Sequence, residues 1–88
     1  MQLITRHKFD KNLKKLNSPK LTSQAEQIKT LIQSAKSIYE IPNIKKMQGA
    51  DDTYRIKLGD YRIGLRIIDD AVHLVCISLR DNAYNKFP

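Results

Sequence analysis

The stretch that most constrains the fold is TYRIKLGDYRIGLR, from Thr53 to Arg66. Apolar and polar residues alternate with period two on both sides of Gly59-Asp60, which predicts the two strands of an antiparallel hairpin. Tyr54, Ile56, Leu58, Tyr61, Ile63, Leu65 and Ile67 fall on one face; Thr53, Arg55, Lys57, Arg62, Gly64 and Arg66 fall on the other. A two-residue turn at Gly59-Asp60 sets Leu58 opposite Tyr61, Lys57 opposite Arg62 and Arg55 opposite Gly64. Lys57 and Arg62 are then like charges directly across a ladder, an arrangement that weakens a sheet unless an anion sits there. A solvated basic surface would account for one such strand. Four cations and no acid in the outer positions of a whole hairpin point to an anion site.

The rest of the chain supplies a cover for the apolar face. MQLIT, residues 1–5, predicts a short strand. Phe9, Leu13 and Leu16, at i, i+4 and i+7, predict a helix from about His7 to Leu16 with Thr5 as its cap. Asp10 near its start and Lys14-Lys15 near its end suit the helix dipole. Lys8, Lys11, Lys14 and Lys15 cover its remaining surface, either as a solvated face or as auxiliary phosphate contacts. Ser18 followed by Pro19 marks an N-cap and a first helical position. A second helix follows to about Ser37, with Leu21, Ala25, Ile28, Leu31, Ile32, Ala35 and Ile38 as its core stripe. So short a connection implies an antiparallel α-hairpin packed on one face of a sheet. Tyr39 to Asp52 is mostly loop, with a short extended piece at Ile44–Met47. Its lysines, Lys46 among them, reach either the basic face or solvent.

Beyond the hairpin, Val72 to about Arg80 reads as an interior strand, apolar on both faces. Its register matters. A two-residue loop pairs Ile68 with Ala71 and sends Arg80 to the core, where an unpaired arginine costs several kcal/mol. A three-residue loop, or an equivalent bulge, pairs Ile68 with Val72, Arg66 with Leu74 and Arg62 with Ser78. It sends His73, Val75, Ile77 and Leu79 to the core and Arg80 to the basic face, and it is the expected register. DNAYNKFP then forms a turn or short helix that folds Tyr84 over that face.

The expected fold is α+β: an N-terminal strand, an α-hairpin, a three-stranded antiparallel meander and a short C-terminal element, with the helices on one face of the sheet. Eighty-eight residues make one domain, 1–88, with little room for a second core. Sixteen Lys and Arg against nine Asp and Glu, a net charge of +7, call for a polyanion or an acidic protein as partner. No apolar run is long enough to span a bilayer and no signal peptide is recognisable, so no membrane role is expected. A lone cysteine, Cys76, excludes an internal disulfide and fits a reducing, cytoplasmic setting. His7 and His73 are far apart and no His/Asp/Glu cluster accompanies Cys76, so neither metal nor cofactor is expected. Cys76 itself reads as a packed strand residue.

Arg55, Lys57, Arg62 and Arg80 on one sheet face, with Tyr84 at its edge, suit phosphodiester chemistry on RNA. A ribose 2′-hydroxyl can attack its own 3′-phosphate without a metal. The site must then orient the 2′-oxygen, neutralise the charge at phosphorus and help the 5′-oxygen leave; preorganised arginines do the second job. Arginine cannot be the base, because it stays protonated. Lys57, crowded by cations, and Tyr84 are the two candidates.

YRIKLGDYRI, the later hydrophobic strand, LRDNAYNKFP and the helical KFDKNLKKL resemble the RelE/ParE superfamily of bacterial and archaeal toxins from toxin–antitoxin pairs. The resemblance covers nearly the whole chain. It implies, for the RelE branch, entry into the ribosomal A site and cleavage of mRNA by 2′-hydroxyl attack, neutralised by a cognate acidic antitoxin. Arg55 and Lys57 match the branch's two basic residues of the YxIxL strand, Arg62 the arginine of GDYR, and Arg80 and Tyr84 its C-terminal pair. Lys46, Arg66, Lys8, Lys11, Lys14 and Lys15 are the further RNA-binding candidates. Two departures matter. Arg55 stands where some members have lysine, which passes the base role to Lys57 or Tyr84. Leu79 stands where many have histidine, which excludes a histidine acid/base there. The ParE branch, which poisons DNA gyrase, shares the fold and part of the GDYR strand, and is the first alternative. A non-catalytic RNA-binding module is the second.

Overall fold

The computed structural model describes residues 1–47 and 52–79. In chain order these form β1 (Gln2–Thr5), α1 (His7–Leu16), α2 (Pro19–Ser34), a 3-10 turn (Ile38–Glu40), β2 (Ile44–Lys46), β3 (Thr53–Leu58), β4 (Tyr61–Ile68) and β5 (Ala71–Leu79). The five strands make one sheet in the order β1-β5-β4-β3-β2. β1 runs parallel to β5; the other neighbours are antiparallel. The meander and α-hairpin are those expected. The C-terminal element, with Arg80 and Tyr84, lies outside the described residues. Among the described residues no helix is long and apolar enough to cross a membrane.

The β3–β4 hairpin follows its turn chemistry. Gly59 sits at φ 61°, a conformation glycine adopts without penalty. The turn pairs Leu58 with Tyr61, Lys57 with Arg62 and Arg55 with Gly64, the register read from the sequence. Alternation then turns Ile56, Ile63 and Leu65, all fully buried, toward the helices. Phe9 and Leu13 of α1 and Leu21, Ala25, Ile28 and Ile32 of α2 complete that core. Ser18 caps α2 by accepting the Leu21 amide at 3.2 Å.

Three helix expectations are corrected. Thr5 does not cap α1: it ends β1, and Arg6 takes the N-cap position with no side-chain hydrogen bond to the helix. α2 stops at Ser34, three residues short of Ser37, because Ala35 adopts an extended backbone. Of its proposed core stripe, Leu31 is 44% exposed, and Ile38 belongs to the 3-10 turn that follows.

The register of β5 combines both possibilities weighed from sequence. The loop has two residues, Asp69 and Asp70, at φ 50° and 65°, so Ile68 pairs with Ala71 and Arg66 with His73. The register then shifts between Leu65 and Gly64, where the partners jump from Leu74 to Cys76 and Val75 is the extra residue. Beyond the bulge Ile63 meets Ile77 and Arg62 meets Ser78, as expected. The expectation fails before it. Val72 and Leu74, both fully buried, take the core positions assigned to His73 and Val75, which are half-buried. His73 instead shares the outer face with Arg66. The expectation fails again at the strand's end: Leu79, expected in the core, pairs with Tyr61 on the helix side but is 46% exposed. β1 pairs only with residues 71–74, and α1 borders the remainder of β5, where the Asn12 carboxamide oxygen accepts the Ile77 amide at 3.3 Å.

Candidate nucleic-acid interface

The face of the sheet turned away from the helices is organised in rows. Nearest the β3–β4 turn, Lys57, Arg62 and Ser78 lie side by side. The next row is Lys45, Arg55, Gly64 and Cys76. Beyond the bulge come Thr53, Arg66, His73 and Ile4. Gly64 puts no side chain at the centre of the middle row, a glycine floor that is itself buried, with Arg55 on one side and the buried Cys76 on the other.

Arg62 is the most unusual residue on this face. Its side chain is only 5% exposed, although it carries a permanent charge. Its Nη1 donates to the backbone carbonyls of Gly59 and Tyr61, both at 2.8 Å. These bonds fix the guanidinium against the turn that positions it. The buried Nε has no hydrogen-bond partner. A buried donor left unmet costs about 1–3 kcal/mol, and more when charged. Lys57, directly opposite and exposed, adds repulsion rather than relief. A fixed cation, an unmet buried donor and an exposed ammonium thus lie together at this end of the face.

Arg66 is different. Its Nε donates to Asp52 Oδ2 at 3.1 Å, and its Nη2 reaches the same oxygen. These hydrogen bonds, together with the Arg66 charge, hold the Asp52 carboxyl below the usual carboxylate range. Arg66 is thus on the expected face, already engaged by an ion pair the sequence did not reveal.

Lys46 is a correction. Ile44 pairs with Ile56 on the core side, so period two puts Lys45 beside Arg55 on the basic face and Lys46 beside Tyr54 on the opposite one. Parity from Ile44 was the signal that would have selected Lys45. The lysines of α1 are all exposed. Burial pushes the Cys76 thiol up, and the charge of Lys8 partly opposes it. A thiol shifted upward stays protonated and is a poor nucleophile, in keeping with a packed strand residue. Among the described residues no group of three His, Cys, Asp or Glu could hold a metal ion. Arg55, Lys57 and Arg62 are brought together; Arg80 and Tyr84 fall outside the described residues.

This combination of fold and basic sheet face defines a class. Residues 3–84 match the family described as the ParE toxin of the type II toxin–antitoxin system parDE, and the chain belongs to this superfamily of toxins. Within it the chain is RelE-like. Toxin RelE3 of Methanocaldococcus jannaschii is 33% identical over 67 residues, 72% of this chain and 76% of the relative. The RelB–RelE antitoxin–toxin complex of Methanococcus jannaschii contains a chain of 27% identity that superposes with a TM-score of 0.82, over 97% of this chain and 99% of that one. The isolated RelE toxin of E. coli shares the fold, with a TM-score of 0.65 at 22% identity over 97% of this chain and 92% of its own.

Proposed function

We propose that this toxin is a ribosome-dependent, metal-independent endoribonuclease that cleaves mRNA in the A site by 2′-hydroxyl attack and so inhibits translation in the cytoplasm. The observation that carries the reading is Arg62: buried, fixed by two carbonyls, with an unmet Nε and a lysine across the ladder. That site gains most from a group bearing concentrated negative charge, such as a phosphate passing to a phosphorane-like transition state.

The roles divide by chemistry. Arg62 neutralises charge at the scissile phosphate. Arg55, beside the glycine floor, contributes charge and holds the RNA. Lys57 positions the 2′-hydroxyl and is one of two groups able to take its proton; Tyr84 is the other. Arg80 joins Arg62 at the phosphate and donates a hydrogen bond that stabilises charge on the leaving 5′-oxygen. The roles of Arg80 and Tyr84 rest on the sequence resemblance. A cognate antitoxin, acidic enough to complement a net charge of +7, neutralises the toxin by covering this face; the RelB–RelE relative, crystallised as an antitoxin–toxin complex, supports such a partner.

Toeprinting of a translated mRNA with purified protein tests the reading. Cleavage within the A-site codon, abolished by a 2′-deoxy nucleotide at the scissile position, is the expected result. Cleavage that survives the 2′-deoxy substitution would exclude this mechanism. The ParE description of the matching family favours one second reading, inhibition of DNA gyrase without chemistry. Intact mRNA together with blocked gyrase supercoiling would establish it instead.

A further inference from the structure

The basic face has a second concentration of donors, at the end away from the β3–β4 turn. Arg6 follows β1 in extended conformation, two residues beyond Ile4, which pairs with His73. Its Nε donates to His73 Nδ1 at 3.1 Å. That bond makes Nδ1 the acceptor, so a neutral His73 carries its proton on Nε2 and offers a further donor. Arg66 lies directly across the ladder from His73, and Asp52 holds its Nε and Nη2, leaving Nη1 outside that pairing. Arg6 is exposed, and His73 and Arg66 are half-exposed. With His73 neutral, two guanidiniums and one carboxylate leave the cluster one positive charge, and the groups outside the internal pairing are all donors.

We infer that Arg6, His73 and Arg66 form a phosphate-binding subsite for the RNA strand, separate from the scissile position; this rests on the nuclease reading above. Arg62 and Arg66 are four residues apart on β4, about 13 Å along the strand. The two sites therefore hold different phosphates. Between them on β4 lies Gly64, which contributes no side chain to the row that separates the two sites. Asp52 serves here to position Arg66, and Arg6 fixes the orientation of the imidazole.

The test scans the mRNA on programmed ribosomes with single uncharged methylphosphonate linkages on either side of the scissile bond. In the wild type, one linkage away from the cut should raise KM roughly tenfold, the size of one charge-assisted contact, with kcat within about twofold. Arg6→Ala should raise KM by a similar factor on unmodified mRNA, with an unchanged melting temperature. The two changes combined should do no more than either alone. Multiplying effects, or an unchanged KM in Arg6→Ala, overturn the subsite while leaving cleavage and the nuclease reading intact. A second arm does not depend on cleavage. Titration of 15N-labelled protein with a short single-stranded oligoribonucleotide should shift the Arg6 and Arg66 Nε–H and His73 imidazole resonances. Those shifts in a protein that never cuts mRNA sink the nuclease reading and keep the subsite. Shifts confined to the Lys57 end sink the subsite.

Discussion

Arg62 shows why one residue can be both held and unsatisfied. Its Nη1 gives both hydrogens to the Gly59 and Tyr61 carbonyls, while its Nε, on the same guanidinium, is buried without a partner. Arg62→Ala should therefore lower single-turnover cleavage on the ribosome by roughly 10²–10³-fold, the range for one preorganised donor to a developing oxyanion. Arg62→Lys should not restore it, because an ammonium held by those two carbonyls leaves no second nitrogen in the place of Nε. Arg80→Ala should fall in the same range, while Lys57→Ala and Tyr84→Phe should slow the chemical step more than they weaken ribosome binding. Separate measurement of kcat and KM decides each case. Asp52 offers a contrasting prediction. Arg66 depresses its folded-state proton affinity, so the pair's stabilising contribution is fully present above the ordinary aspartate value of about 3.9 and is lost as pH falls through the lower folded value. The melting temperatures of wild type and Asp52→Asn should differ by a constant amount from neutral pH to about 5 and converge below about 4. A gap that persists into strong acid would mean the ion pair is not its source.

At the scale of elements, turns and bulges decide which side chains meet. The Gly59-Asp60 hairpin was legible because glycine at the turn and period-two alternation agree, and the resulting Lys57–Arg62 pair is seen in the sheet. The second hairpin was only half legible. The argument against burying Arg80 demands a one-residue shift somewhere, but not where. The chain makes it at Val75 rather than in the loop, so Val72 and Leu74, not His73 and Val75, fill the core. Nothing local in VHLVCIS marks the bulge, since either parity offers apolar residues. The Arg6–His73 contact was invisible for another reason: it depends on the parallel pairing of β1 with β5, between segments 67 residues apart. The loop that the shift avoided still carries strain, with two aspartates in the left-handed region. Asp70→Gly should raise stability by about 0.5–1 kcal/mol, because glycine adopts that conformation without a Cβ clash. For a domain of this size that is several degrees in the melting temperature. A lower melting point would show that Asp70 contributes something more than a turn.

For the molecule as a whole, the helices and the basic surface divide the work. One side of the sheet packs on the helices and the other carries Lys45, Arg55, Lys57, Arg62 and Arg66. The exposed lysines of α1 add to the positive field around the sheet. Lys11→Ala and Lys14→Ala should weaken ribosome binding at low salt, reduce its dependence on salt, and leave the rate of bound complexes unchanged. A salt dependence identical to wild type would return those lysines to the status of a solvated surface. The Lys57–Arg62 pair has a genetic corollary. Lys57→Glu turns a repulsive cross-strand pair into an attractive one, a gain of roughly 0.2–1 kcal/mol, while removing a candidate base. Where Lys57 rather than Tyr84 is the base, a single change of this kind should yield a better-folded and harmless protein. Bacterial cultures expressing the gene without adequate neutralisation should therefore accumulate survivors whose toxin is still made in full, with acidic replacements at position 57 over-represented among missense changes. Sequencing such survivors is a direct measurement. If escape ran only through truncation and core-disrupting alleles, the opposition between folding and killing at this pair would be too small to steer selection.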